Sequence, residues 1–160
     1  MNWDAIGASG EVAGALLVIV SVIYLARQIQ QNTATSRAEV LSAFSIGISQ
    51  QYDTWGSDSR TSELFHKMVY EGVRRSELPN ADKQSLSFLL LSRVYLFDAA
   101  YRSYREGILK EHEFLSLMNS RIWELPFLLD SWPIYTRELS PDFVEYMENR
   151  FESLRQSSAA

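Results

Sequence analysis

The two histidines and the carboxylates near them are the first places to look for chemistry in this chain. In "ELFHKMVYEG", Glu63 and His66 stand three residues apart. That ExxH spacing puts a carboxylate and an imidazole on one face of a helix. A dinuclear metal bundle needs two such pairs and further carboxylates from facing helices. The chain supplies a single pair, so no metal is expected. In "KEHEF", His112 lies between Glu111 and Glu113. Adjacent residues of a helix point in different directions, whereas a ligand pair needs i,i+3 or i,i+4 spacing. Leu109 and Ile108 hold those positions. With no cysteine, thiolate metal sites, thiol nucleophiles and disulfides are excluded, and the compartment is left open. The nucleophile-elbow, phosphate-loop and dinucleotide fingerprints are also missing. The expectation is a protein that is not an enzyme and holds no cofactor.

Two other charged patterns invite a functional reading. Asp98, Arg102 and Glu106 recur every four residues, the spacing of a salt-bridge ladder on an exposed helix face. "RVYLFDAAYRSYREG" mixes Arg93, Arg102 and Arg105 with Tyr95, Tyr101 and Tyr104. Such a mixture resembles a nucleic-acid surface. The tyrosines keep the core period, however, and acids interleave the arginines. A solvated face over core aromatics is therefore expected, with no nucleic acid. Trp123 and Trp132 flank a proline-broken segment. They would either close the base of a helical body or form an aromatic patch for a partner.

These residues belong to a chain of 160, with 46% apolar and 22% charged residues, which suits one folded domain and an appendage. The mean hydropathy of −0.15 is too low for a polytopic membrane protein, so one segment at most is membranous. A net charge of −5 gives no general attraction to nucleic acid.

The apolar segment is Ile6 to Ala26, in which Glu11 is the sole charge. At about 1.5 Å per residue it spans roughly 31 Å as a helix, the thickness of a hydrocarbon core. A secretion signal would open with basic residues and end at a small-residue cleavage site. Here Asp4 comes first, and the apolar run passes directly into "ARQIQQNT". A transmembrane anchor over residues 1–27 is therefore expected in preference to a signal or a core helix. Trp3 and Tyr24 fall near its two ends, at interfacial depth. Arg27 and Arg37 follow it and no basic residue precedes it, which orients the N-terminus outside and the body in the cytoplasm. Gly7, Glu11, Gly14 and Ser21 share one helical face with Gly10 beside them, and Gly10 and Gly14 form GxxxG. Small residues on one stripe let helices approach closely, and a carboxyl there can bond across the contact.

No proline or glycine breaks the chain between Gly14 and Gly47. A polar neck helix is expected over 28–56, ending at the turn "WGSDSR", with Ser57 or Asp58 capping the next helix. That helix would bury Leu64, Phe65, Met68, Val69 and Val73. A third helix runs from an Asn80 N-cap to about Glu106, with Leu86, Leu90, Phe97, Tyr101 and Tyr104 inward and Gly107 past its end. A fourth is expected over Lys110 to Glu124, burying Phe114, Leu117, Met118 and Ile122. Pro126 and Pro133 should break the following segment into short turns. Ser140 and Pro141 open a last helix, and residues 157–160 fray. No strand pattern occurs. The fold class is all-α: a membrane helix continuing into a long neck, then a compact antiparallel bundle over 57–156.

The blocks "NWDAIGASGE", "IYLARQIQQNT", "FLLLSRVYLFDAAYRSYREGIL" and "LSPDFVEYME" resemble a group of small bacterial single-pass membrane proteins. The resemblance extends over nearly the whole chain and implies a bacterial inner-membrane protein with a helical cytoplasmic body. It brings no catalytic residues. Around "WELPFLLDSWPIYTREL" the group tends to carry a helix richer in Trp and Arg, so the resemblance does not extend to a partner surface at Trp123 and Trp132.

The functional expectation is an interaction protein bound to membrane lipid, an accessory subunit or scaffold that docks through the glycine-rich face. The alternative is a homo-oligomer or pore with Glu11 between its helices. An enzyme seated in the helical body ranks third.

Overall fold

A computed structural model describes residues 3–158, with side chains over residues 14–156. The regular elements among the described residues are all helices, with no strand. The long first helix, α1, spans Trp3–Ser57. Its serines and threonines do not interrupt it, because several return their hydroxyl to the carbonyl one turn back. Ser21 donates to Leu17, Thr33 to Ile29 and Thr35 to Gln31. The chain divides into two compact units, one up to Glu39 and one from Val40 onward. The second half of the segment expected as a neck therefore belongs to the compact body.

In the first unit, the segment from Leu16 to Leu25 is exposed along its whole length. It belongs to the one helix among the described residues, from Gly14 onward, that is long and apolar enough to cross a membrane.

In the second unit, α1 ends where Asp58 takes extended geometry and its carboxylate accepts the Thr61 N–H and hydroxyl, at 2.7 and 2.6 Å. This is the expected cap of α2 (Ser59–Val69). Gly72 then takes a φ of +65°, which reverses the chain. A 3-10 turn at Arg75–Glu77 leads into α3 (Asn80–Arg105). Asn80 is the first helical residue, not the cap: Pro79 stands before it, and no side chain caps this end. Gly107, at a φ of +75°, ends α3 as expected. Its N–H reaches the Tyr104 carbonyl, and that of Ile108 reaches Ser103.

The expected helix from Lys110 to Glu124 is two pieces. α4 spans Glu111–Met118, and a 3-10 turn follows at Arg121–Glu124. The break turns Trp123 inward, where its indole N–H donates to the Met118 carbonyl at 3.1 Å. Pro133 does not break the next segment, because α5 runs from Pro126 to Tyr135. Pro126 occupies the first turn, where its missing N–H is not needed, and Pro133 lies in the last turn. α6 begins at Pro141, as expected, and reaches Ser158.

The core joins Leu86, Leu90 and Phe97 of α3 to Phe114, Phe127 and Phe143. Trp123 packs on Phe97 at 4.7 Å between ring centroids, and Trp132 on Phe151 at 5.2 Å. Their exposures are 1% and 6%, so neither forms a surface patch. Fully burying aromatic surface is worth more here than presenting it to water.

Candidate functional site

The helical backbone runs through Trp3, Gly7, Gly10 and Glu11, but the side chains of these four lie outside the described residues. Gly14 is open: a methyl group added there would meet nothing within 4 Å. Ser21 already satisfies its hydroxyl within its own helix. Tyr24 is 68% exposed, and Arg27 is exposed. The described part of the glycine face therefore makes no contact of its own that would explain its small residues.

The residues expected to form an exposed ladder on α3 are placed otherwise. Asp98 is buried and accepts both the hydroxyl and the N–H of Ser140, the latter at 3.4 Å. Arg102 approaches it at 3.7 Å, and Glu106 is the residue that ends the helix. The ladder fails because Asp98 shares the inner side of α3 with Val94 and Tyr101, where the start of α6 supplies its partners.

Arg93 is also buried, at 8% exposure, against the expectation of a solvated face. The reason lies in helical spacing. Leu90, Arg93 and Phe97 are three and four residues apart and so share the inner stripe. Arg93 enters a cleft of about 310 Å³ bounded by the end of α1, by α2, α3 and the 3-10 turn at Arg121–Glu124. Its guanidinium lies 5.1 Å from the Tyr52 ring centroid and 5.2 Å from that of Trp55. Nη2 donates to the Tyr52 hydroxyl at 3.4 Å. Nε is sealed from water and has no hydrogen-bond partner, and the Trp55 Nε1 shares that condition. No salt bridge to a described carboxylate reaches Arg93.

Phe65, Met68, Val69, Ile122 and Leu125 form the apolar walls of this cleft, and Asn119, Ser120 and Arg121 supply its other polar groups. No acid lines it. Aromatic faces stabilise a desolvated cation by about 2 kcal/mol. Burying an unpaired ion costs several kcal/mol. The rings therefore offset only part of the cost of placing Arg93 here.

The ExxH pair is spread over separate partners. Glu63 binds Lys67 at 2.6 Å, and the His66 Nε2 lies 3.8 Å from Glu71. Among the described residues no three His, Cys, Asp or Glu side chains are grouped to hold a metal ion. The chain matches no protein-family model, no curated protein and no solved structure.

Proposed function

We propose that the chain is a membrane-anchored interaction protein, an accessory subunit or scaffold rather than an enzyme. Residues 1–27 form the anchor, and the body is an antiparallel helical bundle in the cytoplasm. The observation that carries this reading is the uncovered apolar segment of α1. Leu16, Leu17, Val18, Ile19 and Val20 are 54–69% exposed, and nothing among the described residues packs over them. A soluble monomer does not leave a continuous apolar surface of this kind in water. Lipid on most faces, and another helix on the glycine face, would cover it. The charge bias of Arg27 and Arg37 supports the inward orientation, and the resemblance to small bacterial single-pass proteins supports the inner membrane.

The test is mass and composition after gentle extraction from native membranes. The expected result is an intact 18.4 kDa chain that resists alkaline washing and co-purifies with a second protein in fixed ratio. A chain shortened by its first ~26 residues would identify a cleaved signal and overturn the reading. A single species at an integer multiple of the chain mass would instead favour the homo-oligomer, and Glu11→Gln would then be the variant to examine.

A further inference from the structure

We infer that the Arg93 cleft is a binding site for a small organic carboxylate with an apolar or aromatic body. The cleft is independent of how α1 is covered, because every residue that lines it lies in the compact unit that starts at Val40. Three observations converge on it.

The first is an unbalanced cation. Arg93 is more than nine-tenths buried, its Nε lacks a partner, and no described carboxylate pairs with it. Nη2 makes a single long bond to Tyr52, and Nη1 makes none within the described chain. Arg93 lines the cleft, so its guanidinium borders the space that an incoming group would enter. A carboxylate there would supply the charge-assisted hydrogen bonds that the chain withholds.

The second is the sign of the cleft. Arg93 and Arg121 both line it, with Ser120 and Asn119 as neutral hydrogen-bonding groups and no acid to compete. A cationic ligand finds no partner there.

The third is the character and size of the remaining wall. Phe65, Met68, Val69, Ile122 and Leu125 give an apolar surface beside the cation, and Tyr52 and Trp55 add aromatic faces. A bare inorganic anion would leave that surface unused. A volume of about 310 Å³ lies at the small end of ligand sites and admits a short acid, not a nucleotide or a complete lipid.

The experiment uses the full chain in lipid nanodiscs, with phenylacetate, 3-phenylpropionate and hexanoate as probes and their neutral amides as controls. Binding is followed by ligand-observed NMR and calorimetry. At least one acid should bind saturably, and its amide about tenfold more weakly or worse. Arg93→Met should lower that affinity by about tenfold or more. Val69→Trp fills the cleft from its apolar wall and leaves Arg93 in the sequence, and it should abolish binding, so the test survives a folding defect in the Arg93 variant. The proposal is overturned if none of the three acids binds saturably. It also falls if acid and amide bind equally, or if a folded Arg93→Met or Val69→Trp protein binds as the parent does.

Discussion

Arg93 and Asp98 are buried charges on the same helix, and the protein treats them in opposite ways. Asp98 has a polar shell. It accepts from the Ser140 hydroxyl and N–H, and Arg102 stands nearby. It lies at the start of α6, where unpaired N–H groups and the helix dipole favour a negative charge. Arg93 has two rings, one long hydrogen bond and an orphaned Nε. The difference separates two uses of a buried charge. With a complete shell it joins two helices, and a ligand has nothing to add. With an incomplete shell inside a cleft it leaves bonds for a ligand to make.

The sharpest way to break this comparison is to remove Asp98. Asp98→Ala strands the hydroxyl and N–H of the half-buried Ser140, and it should lower the unfolding free energy by about 2 kcal/mol. Urea unfolding of the full chain in detergent, followed by near-UV circular dichroism, measures this. A loss below about 1 kcal/mol would show that the Asp98 shell does not hold α3 to α6.

Arg93 should behave differently under the same measurement. Arg93→Met removes about 2 kcal/mol of cation–aromatic attraction but also removes a poorly compensated buried charge. The second effect outweighs the first, so the variant should be as stable as the parent or more stable by about 1–2 kcal/mol. A loss as large as that of Asp98→Ala would make Arg93 a structural clamp between α1 and α3.

Both charges were visible in the sequence, but only as letters on a helix. The helix ends were legible where local chemistry decides them, as at Asp58, Gly107 and Pro141. Legibility failed where distant partners decide. Asp98 reads as the head of a ladder until Ser140, far along the chain, is folded against it. Arg93 kept the spacing of the inner stripe, and that signal was available. It was outweighed by the habit of placing arginine in water. The cleft itself could not be read, because it is assembled from α1, α2, α3 and the turn after α4. The break after Met118 likewise goes with a tertiary placement, the burial of Trp123, rather than with local propensity.

Asp58 sharpens the comparison from the exposed side. It does for α2 what Asp98 does for α6, but in full contact with water. The Thr61 hydroxyl and then its N–H hold the Asp58 carboxyl below its usual value of 3.8. A carboxyl with a lowered folded pKa contributes stability that is complete above the unfolded value. That contribution fades as pH falls through the folded one. The cap should therefore act fully at pH 5 and above and weaken progressively below about pH 4. Asp58→Asn retains a capping oxygen without the titration, and its stability should be flatter across that acid range. Parallel acid sensitivity in parent and variant would remove Asp58 as the source.

The smallest effect tests what holds α1 to α3 if Arg93 does not. Phe44 packs on Phe97 at 5.2 Å, and Gly47 faces Leu96. A Cβ at Gly47 would sit 2.9 Å from both terminal carbons of Leu96, so glycine is what lets the helices close at this point. Gly47→Ala gains about 1 kcal/mol in helix propensity and loses a similar amount to that crowding. The net change should lie within about 0.5 kcal/mol of zero, a null result that means little by itself. The double-mutant cycle with Leu96→Ala gives it meaning. With the obstruction gone, the same Gly47→Ala change should stabilise by about 1 kcal/mol. A cycle with no coupling would mean that Gly47 and Leu96 do not press on each other. The seam between α1 and α3 would then rest on the aromatic contacts alone, and the Arg93 stack would have to carry more of it than its incomplete shell suggests.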